Sequence, residues 1–178
     1  MSSIRLHVPI DVRAALWRHL LSTAAGPEEV AFVYARPSRE DGVSFGFIEW
    51  SAVEPEGFAS RSAYHLELSD ETRGHVIKRA HDLGASVVEF HSHRGRSDAQ
   101  FSPSDWTGFE EFVPHIWWRL KGRPYAAIVV TSTSFDGLVW LDSPESPVRL
   151  DALISNGVSL APTRLSPLTK DGYTFHAS

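Results

Sequence analysis

The sequence predicts an α/β (α+β) domain in which helices flank a single mixed β-sheet. Three observations carry that reading. Short runs rich in Val, Ile, Phe and Tyr alternate with stretches whose apolar residues recur at helical spacing. Two pairs of those runs are joined by brief polar turns, as antiparallel neighbours are. The 178 residues suffice for one well-filled core and not for two comfortable ones.

In chain order, residues 3–8 (SIRLHV) alternate as a short strand. Val12, Leu16, His19, Leu20 and Leu21 then mark an amphipathic helix over 11–23, broken by Gly26 and Pro27. EVAFVYA (29–35) reads as a buried strand, and the turn RPSREDG joins it to a second strand at 43–54. Residues 55–68 contain Pro55, Gly57 and several serines and are expected to form a loop that touches a partner. Ser69 caps a helix over 70–83 that Gly84 ends. SVVEFHS (86–92) is the next strand, and a helix over 103–120 buries Trp106, Phe109, Phe112, Trp117 and Leu120. Residues 125–131 and 135–141 make a final antiparallel pair. The domain is therefore expected to span 1–142. Residues 143–178, rich in Pro and Ser and weakly periodic, form a C-terminal extension that packs on it or binds a partner.

Composition narrows the function classes. A net charge of −5 argues against general binding to nucleic acid or to an anionic membrane. Cysteine is absent, which removes disulfides and thiolate metal sites. No apolar run approaches the ~18 residues of a membrane span, and MSSIRLHVPIDVR shows no signal-peptide core. A cytoplasmic location is the expectation.

Chemistry gathers at His91-Ser92-His93, at the end of an apolar strand. Strand side chains alternate faces, so both imidazoles point one way and Ser92 the other, and two imidazoles at a strand mouth can close on one metal ion. Downstream, Ser102-Pro103-Ser104-Asp105 opens the long helix. Ser at the cap, Pro at the first position and an acid at the third also make ordinary helix-start chemistry. A carboxylate on a first helical turn is rigidly aimed as well, as a third metal ligand must be. Two His and one carboxylate with an open fourth position suit a catalytic zinc, with iron or manganese as alternatives. A general base is still needed, and Glu28, Glu29, Glu49 and Glu89 are the candidates.

In order, Glu29, His91-Ser92-His93 and Ser102-Pro103-Ser104-Asp105 resemble the JAMM motif of JAB/MPN metalloproteases: an early-strand glutamate, His-Ser/Thr-His, then Ser-x-x-Asp. EEVAFVYA, SVVEFHSH, FSPSDW and PYAAIVVTSTSFDGLVWL extend the likeness over residues 5–142, most of all to bacterial JAB proteins found with ubiquitin-activating-enzyme-like and ubiquitin-like partners. The resemblance implies the MPN/JAB (cytidine-deaminase-like) architecture. It implies zinc on His91, His93 and Asp105, Glu29 as base, and Ser102 stabilising the oxyanion. It implies a deubiquitinase-like isopeptidase acting after the C-terminal tail of a ubiquitin-like protein, with activating-enzyme-like proteins as further partners and a role in antiviral defence. Such a tail would add an edge strand, and Tyr64-His65-Leu66-Glu67-Leu68 is the segment expected to receive it unless it lies inside the main sheet. Three departures stand out. Ala31-Phe32 replaces the usual Cys-Gly, which leaves Glu28 as an alternative to Glu29. Arg94 replaces a common proline, and eight residues rather than seven separate His93 from Ser102. A non-catalytic MPN scaffold and a peptidase acting on a small carrier protein or peptide are the competing readings; retention of all five motif residues disfavours the scaffold.

Overall fold

The computed structural model describes residues 2–22, 26–62, 65–95 and 97–173. Tyr64, placed by sequence in the substrate edge, lies outside them. The elements in order are β1 (Ile4–His7), α1 (Ile10–Leu20), β2 (Val30–Ser38), β3 (Val43–Ala52), β4 (Phe58–Arg61), β5 (Leu66–Leu68) and α2 (Asp70–Leu83). There follow β6 (Ser86–Ser92), α3 (Pro103–Arg119), β7 (Tyr125–Val130), β8 (Phe135–Trp140), β9 (Val148–Arg149), β10 (Ala152–Ser155) and β11 (Val158–Leu160).

Nine strands form one mixed sheet in the order β11-β10-β1-β3-β2-β6-β7-β8-β9. The β1–β3, β1–β10 and β6–β7 pairs are parallel and the rest antiparallel. Three helices flank it, so the α/β class holds. The expectation of a single sheet needs correction. Where an irregular loop was expected, the described residues 55–62 and 65–68 form a short 3-10 turn followed by β4 and β5, which make a separate two-stranded sheet. Their strands are only four and three residues long, too short to show a period in sequence. Past residue 142, β10 lies beside β1 and carries β11 at the sheet edge.

The central strands are covered on both faces, so β7 and residues 30–35 of β2 read as unbroken apolar runs. Alternate residues serve opposite cores. Ala31, Val33, Val88, Phe90, Ile128 and Val139 pack with Leu16 and Leu20 of α1. Phe32, Val87, Tyr125, Ala127 and Trp140 pack with Val76 and Ile77 of α2 and with Trp106, Phe109 and Ile116 of α3. Each large apolar side chain so buried stabilises the fold by roughly 1.5–3 kcal/mol.

Helix ends follow the sequence signals. Ser69 Oγ accepts from Thr72 N (3.1 Å), and Gly84 ends α2 in the left-handed region at φ 62°, where a side chain would be strained. Among the described residues, no helix is long and apolar enough to cross a membrane.

Candidate metal centre

The site assembles where β6 runs out beside the first turn of α3. On β6, Glu89 and His91 face α2 and α3, and the chain stays extended past the strand because His93 N donates to Val130 O (2.9 Å). Ser92 faces the other way. Its Oγ accepts from Glu29 N (2.9 Å), and its own N–H donates to Glu29 O (3.0 Å).

Asp105 arrives on a helix start that is chemically complete. Ser102 N and Ser102 Oγ both donate to Asp105 Oδ2 (2.7 and 2.9 Å), and Asp105 N donates back to Ser102 Oγ (3.2 Å). This is a full capping box with Pro103 at the first helical position. Capping and aiming are here one arrangement, because the bonds that close the helix end also turn the carboxylate towards the histidines.

The donors converge. His91 Nε2 and His93 Nε2 are 3.3 Å apart, Asp105 Oδ1 is 3.3 Å from the first, and Asp105 Oδ2 is 3.0 Å from the second. The two Asp105 distances belong to different oxygens; with one donor atom from each residue, the three atoms lie within 4.8 Å of one another. His91, His93 and Asp105 therefore form a group able to hold a metal ion. The electrostatics agree. Burial opposes charge on His91, yet Asp105 and then Glu89 outweigh it and raise its pKa well above the ordinary value. Burial likewise pushes the Asp105 carboxyl up, but His91 and His93 hold it well below the usual range. The cluster is a site where positive charge is strongly favoured, by a proton or by a cation.

Behind His91, Glu89 Oε1 lies 3.3 Å from Nδ1, and Glu89 Oε2 accepts a short hydrogen bond from Tyr125 Oη. A carboxylate behind a ligating imidazole fixes its tautomer and raises its basicity. Burial and then Glu89 push the Tyr125 phenol well above its ordinary pKa, so it remains a donor. Glu89 was a candidate base in the sequence; in the structure it lies behind the His91 ring. Tyr125 carried no sequence signal beyond its place in an apolar run, and Phe101, whose ring lies 5.5 Å from that of His91, ends a polar stretch that gave none.

The two N-terminal glutamates separate. Val30 pairs with His91, so continuing the antiparallel register sets Glu29 opposite Ser92 and Glu28 opposite His93. Glu28 is accordingly on the cluster's face, buried, with Oε1 3.9 Å from His93 Nε2. Desolvation raises its pKa, against the opposing pull of His91 and His93. Glu29, the residue expected at the site, points to the other face. Its Oε2 is 3.0 Å from Arg61 Nη1 and 3.9 Å from His19 Nε2 on α1. Glu49 is remote from the cluster and pairs with Arg79 of α2.

A narrow cavity of about 80 Å³ opens from the cluster between β5 and α3, lined by Glu28, His65, Leu66, Ser104, Gly108 and Phe109 among others. A larger groove of about 540 Å³ between β3 and α2 contains none of the donor residues, so size alone does not mark the chemistry here. Compared with known proteins, the chain matches no family model and no curated protein by sequence.

Proposed function

We propose that this chain is a zinc-dependent peptidase or isopeptidase of the JAB/MPN type, deubiquitinase-like in its substrate. The observation that supports it most is the convergence of His91, His93 and Asp105 with a buried glutamate beside them. When bound there, zinc polarises a carbonyl and lowers the pKa of its water to roughly 7. Glu28, rather than Glu29, takes the proton of the attacking water and returns it to the leaving nitrogen. Its burial raises its affinity for that proton, as a group that must carry it between two steps requires. Ser102 Oγ donates to Asp105 in the resting site, and turning that one donor to a substrate oxyanion is its part in the reaction.

The substrate reading rests on β5 and the cavity beside it. Among the described residues β5 pairs with β4 alone, leaving an edge to which an extended tail can add. The narrow cavity leads from that edge to the donors, which favours a slender tail such as that of a ubiquitin-like protein.

The test compares the zinc-loaded parent with Glu28→Gln and Glu29→Gln on a panel of ubiquitin-like C-terminal fusions. Glu28→Gln should keep its zinc and lose turnover by about 10²–10⁴-fold. Glu29→Gln should keep both, with stability lower by about 1 kcal/mol from the lost Arg61 pair. Full activity of Glu28→Gln would reject the assignment, and a zinc-loaded parent inert on every fusion would leave a scaffold as the better reading.

A further inference from the structure

Residues 99–101, a segment without regular structure, lie in the chain between β6, which carries His91, and α3, which carries Asp105. Ala99 and Phe101 of this segment are fully buried. Buried backbone groups must find partners, and here four find them from outside. Ala99 N donates to Ser134 Oγ (2.8 Å). The other three partners come from the C-terminal segment, far away in sequence. Thr163 Oγ1 donates to Ala99 O (2.6 Å), Phe101 N donates to Ser166 Oγ (2.9 Å), and Tyr173 Oη donates a short bond to Phe101 O.

That segment is itself fastened to β8. Asp136 of β8, almost wholly buried, accepts from Arg164 N (3.1 Å) and Ser166 N (2.9 Å), as well as from Gly137 N (3.0 Å). Thr163 N donates to Phe135 O (2.9 Å). Arg164 sits at φ 61°, a conformation costly for a residue with a side chain, and so one the surroundings must impose. The chain from Asp136 runs through Ser166 to Phe101. From there one path leads to the His91 ring and another, through the next residue, to the Ser102–Asp105 capping box.

We propose that Thr163–Tyr173 is a strap that sets the metal centre, with Ser166 and Tyr173 as positioning residues that hold Asp105 and His91 at ligating distance through residues 99–101. The strap lies in the part of the chain that the JAMM resemblance does not cover, and the proposal rests on the metal reading above. Outer partners of ligands typically tune metal affinity by about 10–100-fold, and the strap acts one step further out, on two ligands together.

The test measures zinc affinity by chelator competition, and the visible spectrum of the cobalt-substituted protein, for the full chain. The variants are Ser166→Ala, Tyr173→Phe, their combination, and Lys170→Ala. Lys170 shares the segment but only pairs with Glu110 of α3 (3.1 Å), so it serves as the control. The double variant should bind zinc about 10-fold or more weaker with an altered cobalt spectrum, and Lys170→Ala should match the parent. Unchanged affinity and spectrum in a folded double variant would overturn the strap while leaving the metal reading intact. A parent that binds no metal would overturn both. If the double variant does not fold, Tyr173→Phe, which removes one hydroxyl, decides the matter: a several-fold loss of affinity supports the strap, and parental behaviour rejects it.

Discussion

On β6, Val88 and Phe90 face α1 in a core built from Leu16, Leu20, Ala31 and Ile128, with Trp17 edge-on to Phe90. One position along, Glu89 and His91 face the other way, towards Tyr125, Asp105 and α3. Val88 and Phe90 thus meet only apolar side chains of that core, whereas Glu89 and His91 belong to a coupled set of ionisable groups. The difference teaches how a small domain reconciles stability with chemistry. Alternation lets one strand anchor itself through its apolar face while its other face carries donors that could not stabilise the fold alone. A group of charges is tolerated in the α2/α3 core because acids and imidazoles of opposite charge lie against one another there.

Truncating each face of β6 in turn separates the two roles. Phe90→Ala should cost about 3–5 kcal/mol of stability in denaturant unfolding and leave zinc stoichiometry at the parental value. His91→Ala, the adjacent residue, should lose stoichiometric zinc, and turnover with it. A folded Phe90→Ala protein without zinc would show that the two faces are not separable.

A smaller effect is expected behind His91. Glu89→Ala removes the carboxylate behind His91 without touching the donors, so zinc should still bind, about 10–100-fold more weakly. Parental affinity in chelator competition would mean that Glu89 serves only Tyr125.

The smallest effect is in pH. In the metal-free protein Asp105 is held below its ordinary 3.8, so its contribution is present above that value and is lost as pH falls through the folded pKa. His91 is raised above 6.5, so its contribution is complete below that value and is lost as pH rises through the folded pKa. The joint contribution of these two groups to the stability of the metal-free protein should therefore be greatest between about pH 3.8 and 6.5. Zinc replaces the proton, so the loaded protein should instead gain stability as pH rises. The thermal midpoint against pH, with and without chelator, checks this; an identical profile in metal-free Asp105→Ala would remove the cluster as its source.

Much of this molecule was legible in the chain. Ser69 and Gly84 bound α2, and Ser102 and Pro103 open α3, because capping is local chemistry written in single residues. His91 and His93 share a face because the strand period is two, and that needs no partner strand. Spacing plus the helix start at Asp105 therefore picked out the three residues that the fold gathers into a cluster able to hold a metal ion.

The choice between Glu28 and Glu29 was not legible, for a definite reason. Residues 30–35 are apolar on both faces, so their pattern holds no parity to say which way the preceding glutamates turn. Pairing of Val30 with His91 supplies that parity and turns Glu28 to the cluster. The hydrogen bonds from Thr163, Ser166 and Tyr173 to residues 99–101 are of the same kind. Each joins single polar atoms more than sixty residues apart, and no local period or propensity records them. Local structure and donor chemistry follow from neighbouring residues and are readable along the chain. The facing of Glu28 and the backing of Asp105 follow from strand register and long-range contact, which exist only once the sheet has closed.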